Sequence, residues 1–80
     1  MSGKHPPLTC KEIKAILAHL GFVFTTQHGS HEHWVKIKDG KKFKVTVDCP
    51  KSPFSAFLIG SMAKQAGCKK SDFYAVLKML

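Results

Sequence analysis

A chain of 80 residues makes one small domain, and most of its apolar residues are needed for packing, which excludes a large multistep enzyme with a buried cofactor site. The formal net charge is +8, because thirteen basic residues, all of them lysine, stand against five acidic ones, and this excess favours an acidic partner, with nucleic acid the leading candidate. The chain has no arginine, the residue that normally reads guanine through paired hydrogen bonds, so we expect contacts to the phosphate backbone and weak sequence preference.

The three cysteines, Cys10, Cys49 and Cys68, are widely spaced and form no CxxC pair. An odd number outside any recognisable framework argues against disulfides, so we expect three free thiols and a reducing, cytoplasmic location. The first residues lack the apolar region of a signal peptide, and no stretch approaches the roughly 18 apolar residues of a membrane span. We therefore expect no membrane association.

The first predicted helix follows a short lead, residues 1–8, and we assign residues 9–80 to a single domain. Thr9 can accept a hydrogen bond at the start of this helix, and Glu12 can complete a capping box. Gly21 stands where a C-terminal cap is expected. Four apolar residues lie on one face of the helix and predict a buried stripe: Ile13, Ile16, Leu17 and Leu20.

Three antiparallel strands are predicted after this helix. Residues 22–26 are rich in aromatic and β-branched types and too few for a helix, so they form the first strand. The second strand is predicted over residues 31–38, and the Asp39-Gly40 pair after it favours a two-residue hairpin turn. Residues 42–47 alternate again and form the third strand.

The side chains of the second predicted strand alternate between two faces. Apolar residues occur on both of them, so the alternation leaves open which face is buried. One face carries His31, His33, Val35 and Ile37, and the other carries Glu32, Trp34, Lys36 and Lys38.

Two helices are predicted in the remainder of the chain. Ser52 can cap the first of them, with Pro53 at its first helical position, and Gly67 marks its end. Gly60 lies inside this helix and costs about 1 kcal/mol relative to alanine. A last short helix begins near Ser71. The element order is therefore α-β-β-β-α with a further C-terminal helix, an α+β fold.

Residues 27–38 carry the strongest signal for chemistry. Three of the chain's five histidines, His28, His31 and His33, surround a Gly-Ser turn, and lysines follow them. A histidine can take and give a proton near neutral pH, and lysines supply fixed positive charge for an anionic substrate. Histidines and lysines together indicate a reaction at a phosphodiester bond.

Four short segments occur in a distinctive order. They are Leu-Gly-Phe at the end of the first helix, Gly29-Ser30-His31 opening a strand, Lys-Val-Thr-Val in the third strand, and Lys-Gln-Ala-Gly followed by Ser-Asp-Phe near the C-terminus. Over roughly residues 9–77, this order resembles that of the HicA toxins of bacterial and archaeal toxin–antitoxin modules.

The resemblance implies a fold similar to that of double-stranded RNA-binding domains, with a three-stranded antiparallel sheet. It implies the toxin of a type II toxin–antitoxin module that cleaves messenger RNA without a metal or small-molecule cofactor, using the histidine of the Gly-Ser-His motif, which is His31 here. It also implies a HicB-like antitoxin that covers the active surface. Two positions depart from the family: many members carry Pro-His where this chain has Asp48-Cys49-Pro50, and a basic residue is common near Gly60.

RNA cleavage requires a base, an acid and a means of stabilising negative charge. We assign His31 as the general base, with His28 or His33 as the matching acid. Lys36 is the lysine that best suits stabilisation of the phosphorane. The competing interpretation makes His28 and His33 surface or supporting residues and the lysines an ordinary solvated face.

Three further residues near this strand are candidates for holding RNA. Gly29 would allow close approach of the backbone to a phosphate, and Ser30 or an amide of the turn could bind a phosphate oxygen. Trp34 could stack on a splayed base, although a place in the core is the favoured interpretation for it.

The residues leave other functions open. His28, His31, His33 and Cys49 could supply zinc ligands, but their spacing is not that of the His-Glu-x-x-His helix motif, and we expect no metal. A non-catalytic RNA-binding module of the double-stranded-RNA-binding type would depend on the lysines and not on His31. The third hypothesis is a small protein-interaction domain whose positive charge serves an acidic partner.

Overall fold

The computed structural model describes residues 6–80, so residues 1–5 of the predicted lead lie outside the described part of the chain. The elements follow the predicted order, with a three-stranded antiparallel sheet in the spatial order β1-β2-β3. They are α1 (Cys10–His19), β1 (Val23–His28), β2 (His31–Lys38), β3 (Lys41–Asp48), a short 3₁₀ helix (Cys49–Lys51), α2 (Ala56–Gln65) and α3 (Lys70–Leu77). The predicted fold class, an α+β domain with the secondary-structure order of double-stranded RNA-binding domains, is confirmed.

Helix α1 begins and packs as the sequence predicts. The Glu12 amide donates to Thr9 Oγ1 over 3.1 Å, and the Thr9 amide donates to Glu12 Oε1 over 2.8 Å, which completes the capping box. Ile13, Ile16 and Leu17 are fully buried against the rest of the core. The apolar stripe of α1 therefore anchors the helical layer on the sheet.

The β2–β3 hairpin turns at Asp39-Gly40, as predicted, and pairs Lys38 with Lys41. Strand β3 decides which face of the sheet is buried, because Val45 and Val47 are completely inaccessible to solvent. They lie opposite Trp34 and Glu32 on β2. The Glu32, Trp34 and Lys36 side of β2 therefore faces the helices, and the side with His31, His33, Val35 and Ile37 is the open face of the sheet.

The predicted start of α2 is wrong. The helix begins at Ala56, and Ser55 caps it by accepting from the Leu58 amide over 3.3 Å. Ser52 instead accepts from the Cys10 amide at the start of α1 over 2.9 Å. The segment between the two elements is held by Phe54, whose amide and carbonyl both bond to the backbone of Leu8. A sequence pattern cannot reveal that a serine caps a helix 42 residues away.

The expectation of three free cysteines is also wrong. Cys10, the first residue of α1, forms a disulfide with Cys49, the first residue after β3, with Cα atoms 5.2 Å apart. The two positions are 39 residues apart in sequence, so only the folded chain brings them together. Cys68 remains a free thiol, and burial is the main cause that raises its pKa.

A buried apolar core joins the helices to the sheet. None of the helices described in residues 6–80 has the length and apolar character needed to span a membrane. Gly67, just after α2, has a φ of +75°, and a Cβ placed there would lie 2.6 Å from Cε2 of Phe43. Both the backbone conformation and the contact with the sheet therefore require glycine at this position.

The two glycines of the α2 region make a matched pair for a stability test. Gly67→Ala should lower the free energy of unfolding by about 1–3 kcal/mol, because the methyl group meets Phe43 and the left-handed backbone disfavours alanine. Gly60→Ala should raise it by about 0.5–1 kcal/mol, because a Cβ there meets nothing within 4 Å. Urea denaturation of both variants measures these free energies. Equal changes in the two variants would contradict the special requirement for glycine at position 67.

The disulfide predicts the thiol content of the protein. Unfolded but unreduced protein should react with a thiol reagent at Cys68 alone, and reduced protein at all three cysteines. By loop entropy, reduction should also destabilise the fold by roughly 4 kcal/mol. Reaction of three thiols in protein that was never reduced would contradict the pairing.

Candidate active site

The register of the hairpin places His31 directly across from Asp48. His31 is the first residue of β2 and Asp48 is the last residue of β3. Their side chains meet on the same side of the sheet, with His31 Nε2 3.2 Å from Asp48 Oδ2. The candidate catalytic histidine therefore has a carboxylate partner that the sequence analysis did not name.

Three groups hold the carboxylate of Asp48 in its ionised form. The Ser30 hydroxyl donates to Oδ1 over 2.8 Å, and this hydrogen bond is the main cause that lowers the pKa of Asp48 below its ordinary value. Desolvation raises the pKa, while His31 and the Lys51 ammonium, 3.9 Å from Oδ2, lower it further, and the net shift is downward. Asp48 is therefore negative throughout the neutral pH range.

This carboxylate fixes the tautomer of neutral His31. An ionised carboxylate can only accept hydrogen bonds, so Nε2 of His31 must carry the hydrogen that points at Asp48. Nδ1 is then the ring nitrogen with a free lone pair. When His31 is protonated, the same carboxylate becomes the counter-ion of the imidazolium. The pair is arranged to take up a proton at Nδ1 and to stabilise the charge that results.

His31 opens onto a groove between the end of β3 and helix α2. The groove has a volume of about 200 Å³, and Asp48, Lys51, Thr46 and Ser61 contribute polar groups to its lining. The side chain of His31 is 54% exposed, so a substrate can reach the ring. Lys51 is more exposed still and places a positive charge beside the histidine. The groove thus combines a proton acceptor with a site for an anion.

His28 and His33 lie on the open face of the sheet. Their rings contact edge to face, with centroids 5.4 Å apart, and His33 Nδ1 is 3.4 Å from the Thr46 hydroxyl. Desolvation is the main cause that lowers the pKa of His33, followed by repulsion from Lys44, His28 and His31. The lowered pKa therefore disfavours the protonated form of His33 that a general acid would need.

The turn residues lie next to the histidine but differ in what they can offer a substrate. Gly29 has a φ of +60°, which the two-residue turn requires, and a Cβ there would meet nothing within 4 Å. The backbone of the turn is therefore open to an approaching phosphate. The hydroxyl hydrogen of Ser30 is already used on Asp48, so its visible role is to position that carboxylate.

Lys36 and Trp34 do not lie at the groove. Both are on the helix-facing side of β2, where Lys36 Nζ lies 5.5 Å from the centroid of the Phe22 ring. Trp34 packs partly buried against the core, and its indole Nε1 donates to Glu32 over 3.3 Å. The favoured interpretation of Trp34 as a core residue agrees with this position, and Lys51, not Lys36, is the lysine beside His31.

The possible metal ligands of the sequence analysis are not assembled as a group. In residues 6–80, the trio of donors that comes together is Cys10, Glu32 and Cys49, with ligand atoms within 4.8 Å of one another. The two sulfurs of this trio are bonded to each other, and a disulfide lacks the thiolates that bind metal. In the described residues, Cys49 therefore clusters with Cys10 and Glu32 and not with the three histidines.

The order of elements, with a Gly-Ser-His turn that opens the second strand, agrees with the comparison to family models. The model for the HicA toxin of bacterial toxin–antitoxin matches residues 10–68, well over half of the chain. The chain belongs to the HicA toxin family. HicA toxins act in toxin–antitoxin modules and are generally ribonucleases, so the family implies an RNA substrate and an antitoxin partner. Searches of curated proteins and of solved structures found no match.

Asp48 and Lys51 lie beside His31 in the structure, and the sequence analysis named neither as a candidate site residue. The sequence did contain a signal for Asp48. The two-residue turn at Asp39-Gly40 pairs Lys38 with Lys41. Counting the same number of residues back along β2 and forward along β3 from this pair brings His31 opposite Asp48. No comparable count finds Lys51, because its position depends on the 3₁₀ helix after β3.

The lowered pKa of Asp48 predicts how stability depends on pH. Its usual pKa is 3.8, and the folded value lies below that. The stability that ionised Asp48 contributes is therefore fully present above pH about 4 and is lost as the pH falls through the folded pKa. In thermal melts, the Tm difference between wild type and Asp48→Asn should shrink as the pH falls below about 4.

Ser30→Ala serves as the control for this experiment. It removes the hydrogen bond that lowers the pKa of Asp48 most, so the loss of stability should move to higher pH while Asp48 remains in place. A Tm difference that is constant from neutral to strongly acidic pH would contradict the assignment of the pKa shift.

Proposed function

We propose that the chain is the toxin of a type II toxin–antitoxin module and cleaves messenger RNA without a metal ion, with His31 as the general base. The observation that carries the proposal is the His31–Asp48 pair at the mouth of a groove that also contains Lys51. Membership of the HicA family supports the ribonuclease class. The metal-independent histidine mechanism is inferred from the chemistry of the side chains.

The first step is the removal of a proton from the substrate. Nδ1 of His31 takes the proton of a ribose 2′-hydroxyl, and the resulting oxygen attacks the adjacent phosphorus. Asp48, which is ionised and accepts from Nε2, stabilises the imidazolium that forms. Asp48 is thus a positioning residue that acts through His31.

The second step is the departure of the 5′-oxygen. The Lys51 ammonium and the amides of the Gly29-Ser30 turn offset the negative charge on the phosphorane. The bond from phosphorus to the 5′-oxygen breaks, leaving a 2′,3′-cyclic phosphate on one product and a 5′-hydroxyl on the other. We infer that the leaving oxygen takes its proton from water, because the lowered pKa of His33 disfavours its protonated form. The hydroxide left behind neutralises the imidazolium and restores His31.

The antitoxin partner follows from the same site. We infer that a HicB-like antitoxin inhibits the toxin by covering the His31 groove, whose exposed lysine and half-exposed histidine suit an acidic protein surface. The thirteen lysines and net charge of +8 favour both RNA and such a partner.

The decisive experiment is cleavage of single-stranded RNA in the presence of EDTA. Wild type should cleave, and His31→Ala should be slower by at least about 10²-fold, because it loses the general base. Asp48→Asn should give an intermediate loss, because the ring stays in place without its counter-ion. His19→Ala is the matched control, because His19 is exposed at the end of α1 and should leave cleavage unchanged.

The opposite outcomes separate the alternatives. Full cleavage by folded His31→Ala would reject His31 as the base. RNA binding with a steep salt dependence but no cleavage by wild type would instead favour the non-catalytic RNA-binding module. Cleavage that disappears in EDTA and returns with added metal would reject the metal-free mechanism.

A further inference from the structure

The first turn of α2 exposes an aromatic ring that the fold does not use. Phe57 is 82% exposed, the highest value among the large apolar side chains that the structure describes. Its neighbour in sequence, Leu58, turns instead toward the His31 groove. An exposed phenylalanine contributes little to stability, so this ring is free to contact a binding partner.

Phe57 is part of a shallow, open depression on the outer side of α2. We call this surface the Phe57 face, and it consists of Ala56, Phe57, Gly60, Ser61, Lys64 and Lys70. Phe57, Ser61 and Lys64 are spaced four and seven residues apart, so they lie on one side of the helix. The rise of an α-helix places Ser61 about 6 Å beyond Phe57 along the axis. The depression is therefore elongated along α2.

Gly60 keeps the depression open. A Cβ at this position would meet no atom within 4 Å, so packing does not require glycine there. Its backbone is helical and does not require glycine either. Because Gly60 stands three residues from Phe57 on the same side of the helix, its lack of a side chain leaves the surface beside the ring flat. Gly60 is thus unfavourable for the helix relative to alanine but is part of a flat surface next to Phe57.

The Phe57 face is continuous with the His31 groove. Ser61 lines both depressions, with Leu58 and Met62 on the groove side and Phe57 and Lys64 on the outer side. A polymer that enters the groove can therefore pass over Ser61 and reach Phe57 without leaving the protein surface.

The positive charge of the Phe57 face favours the binding of a polyanion. Lys64 and Lys70 line it, and among the described residues that form it none is acidic. An aromatic ring flanked by lysines is the combination that binds single-stranded nucleic acid, because the ring stacks on a base and the ammonium groups hold phosphates. A duplex cannot use it in this way, since its bases are already stacked.

We propose that the Phe57 face is a subsite for single-stranded RNA, in which a base flanking the cleaved bond stacks on Phe57 while Lys64 and Lys70 bind adjacent phosphates. This inference rests on the proposed ribonuclease function and specifies the path of its substrate. The RNA strand crosses Ser61 between the His31 groove and the ring.

Binding and cleavage are measured separately to test the subsite. Binding uses a fluorescent single-stranded RNA oligonucleotide of mixed sequence and His31→Ala protein, which holds RNA uncut. In this background Phe57→Ala should raise Kd by about tenfold, the effect of losing one stacked base, whereas Phe57→Trp should retain the affinity. Met79→Ala is the matched control, because Met79 is a similarly exposed apolar residue outside the Phe57 face. Phe57→Leu separates stacking from apolar contact and should behave like Phe57→Ala.

Each result decides between the subsite and its alternatives. Unchanged RNA affinity in Phe57→Ala would overturn the proposal, and loss of antitoxin binding in the same variant would then assign Phe57 to a protein interface. Equal weakening by Phe57→Ala and Met79→Ala would also overturn it. If Phe57-dependent binding is found but wild type never cleaves, the subsite stands and the ribonuclease proposal fails. If cleavage depends on His31 but neither binding nor cleavage responds to Phe57, the ribonuclease proposal stands alone.

Discussion

The pairing of β2 with β3 is the constraint on which the candidate site depends. A two-residue turn at Asp39-Gly40 fixes the register, and the register brings His31 to Asp48 at the far end of the hairpin. A shift by one residue would turn the side chains of one strand to the other face of the sheet, so His31 and Asp48 would no longer meet. A shift that turned β3 would expose Val45 and Val47, which are completely buried, so core packing opposes it. Core packing and site geometry are therefore set by the same backbone pairing.

Helix α2 converts the edge of this hairpin into a groove. Strand β3 is an outer strand of the sheet, and the side chain of Gln65 accepts from the Thr46 amide on its free edge over 3.1 Å. This hydrogen bond occupies one amide of an edge that is otherwise open to pairing with another chain. The inner side of α2 lines the groove beside His31, and its outer side carries Phe57. One helix thus contributes to both parts of the proposed RNA path.

The features that sequence reasoning predicted are those with local causes. The capping box of α1 depends on Thr9 and Glu12, which are three residues apart, and the hairpin depends on the conformations of Asp39 and Gly40. His31 was found through the Gly-Ser-His motif and its resemblance to a family.

The features that were missed depend on the folded chain. Ser52 caps α1 from a distant segment, and Cys10 meets Cys49 across the molecule. Lys36 was preferred because it is near His31 in sequence, but strand alternation turns it toward the helices, and Lys51 takes the position beside the histidine. Proximity in sequence is a poor guide to a site built from the two ends of a hairpin and the loop that follows it.

The central claim is that Asp48 holds neutral His31 with its hydrogen on Nε2, leaving Nδ1 to act as the base. The most direct test is an NMR measurement of the ring nitrogens of His31 in ¹⁵N-labelled protein, at a pH where the ring is neutral. We predict that wild type shows the Nε2–H tautomer and that Asp48→Asn shifts the ring toward a mixture of both tautomers. A neutral His31 with its hydrogen on Nδ1, or a tautomer that does not respond to Asp48→Asn, would contradict the claim.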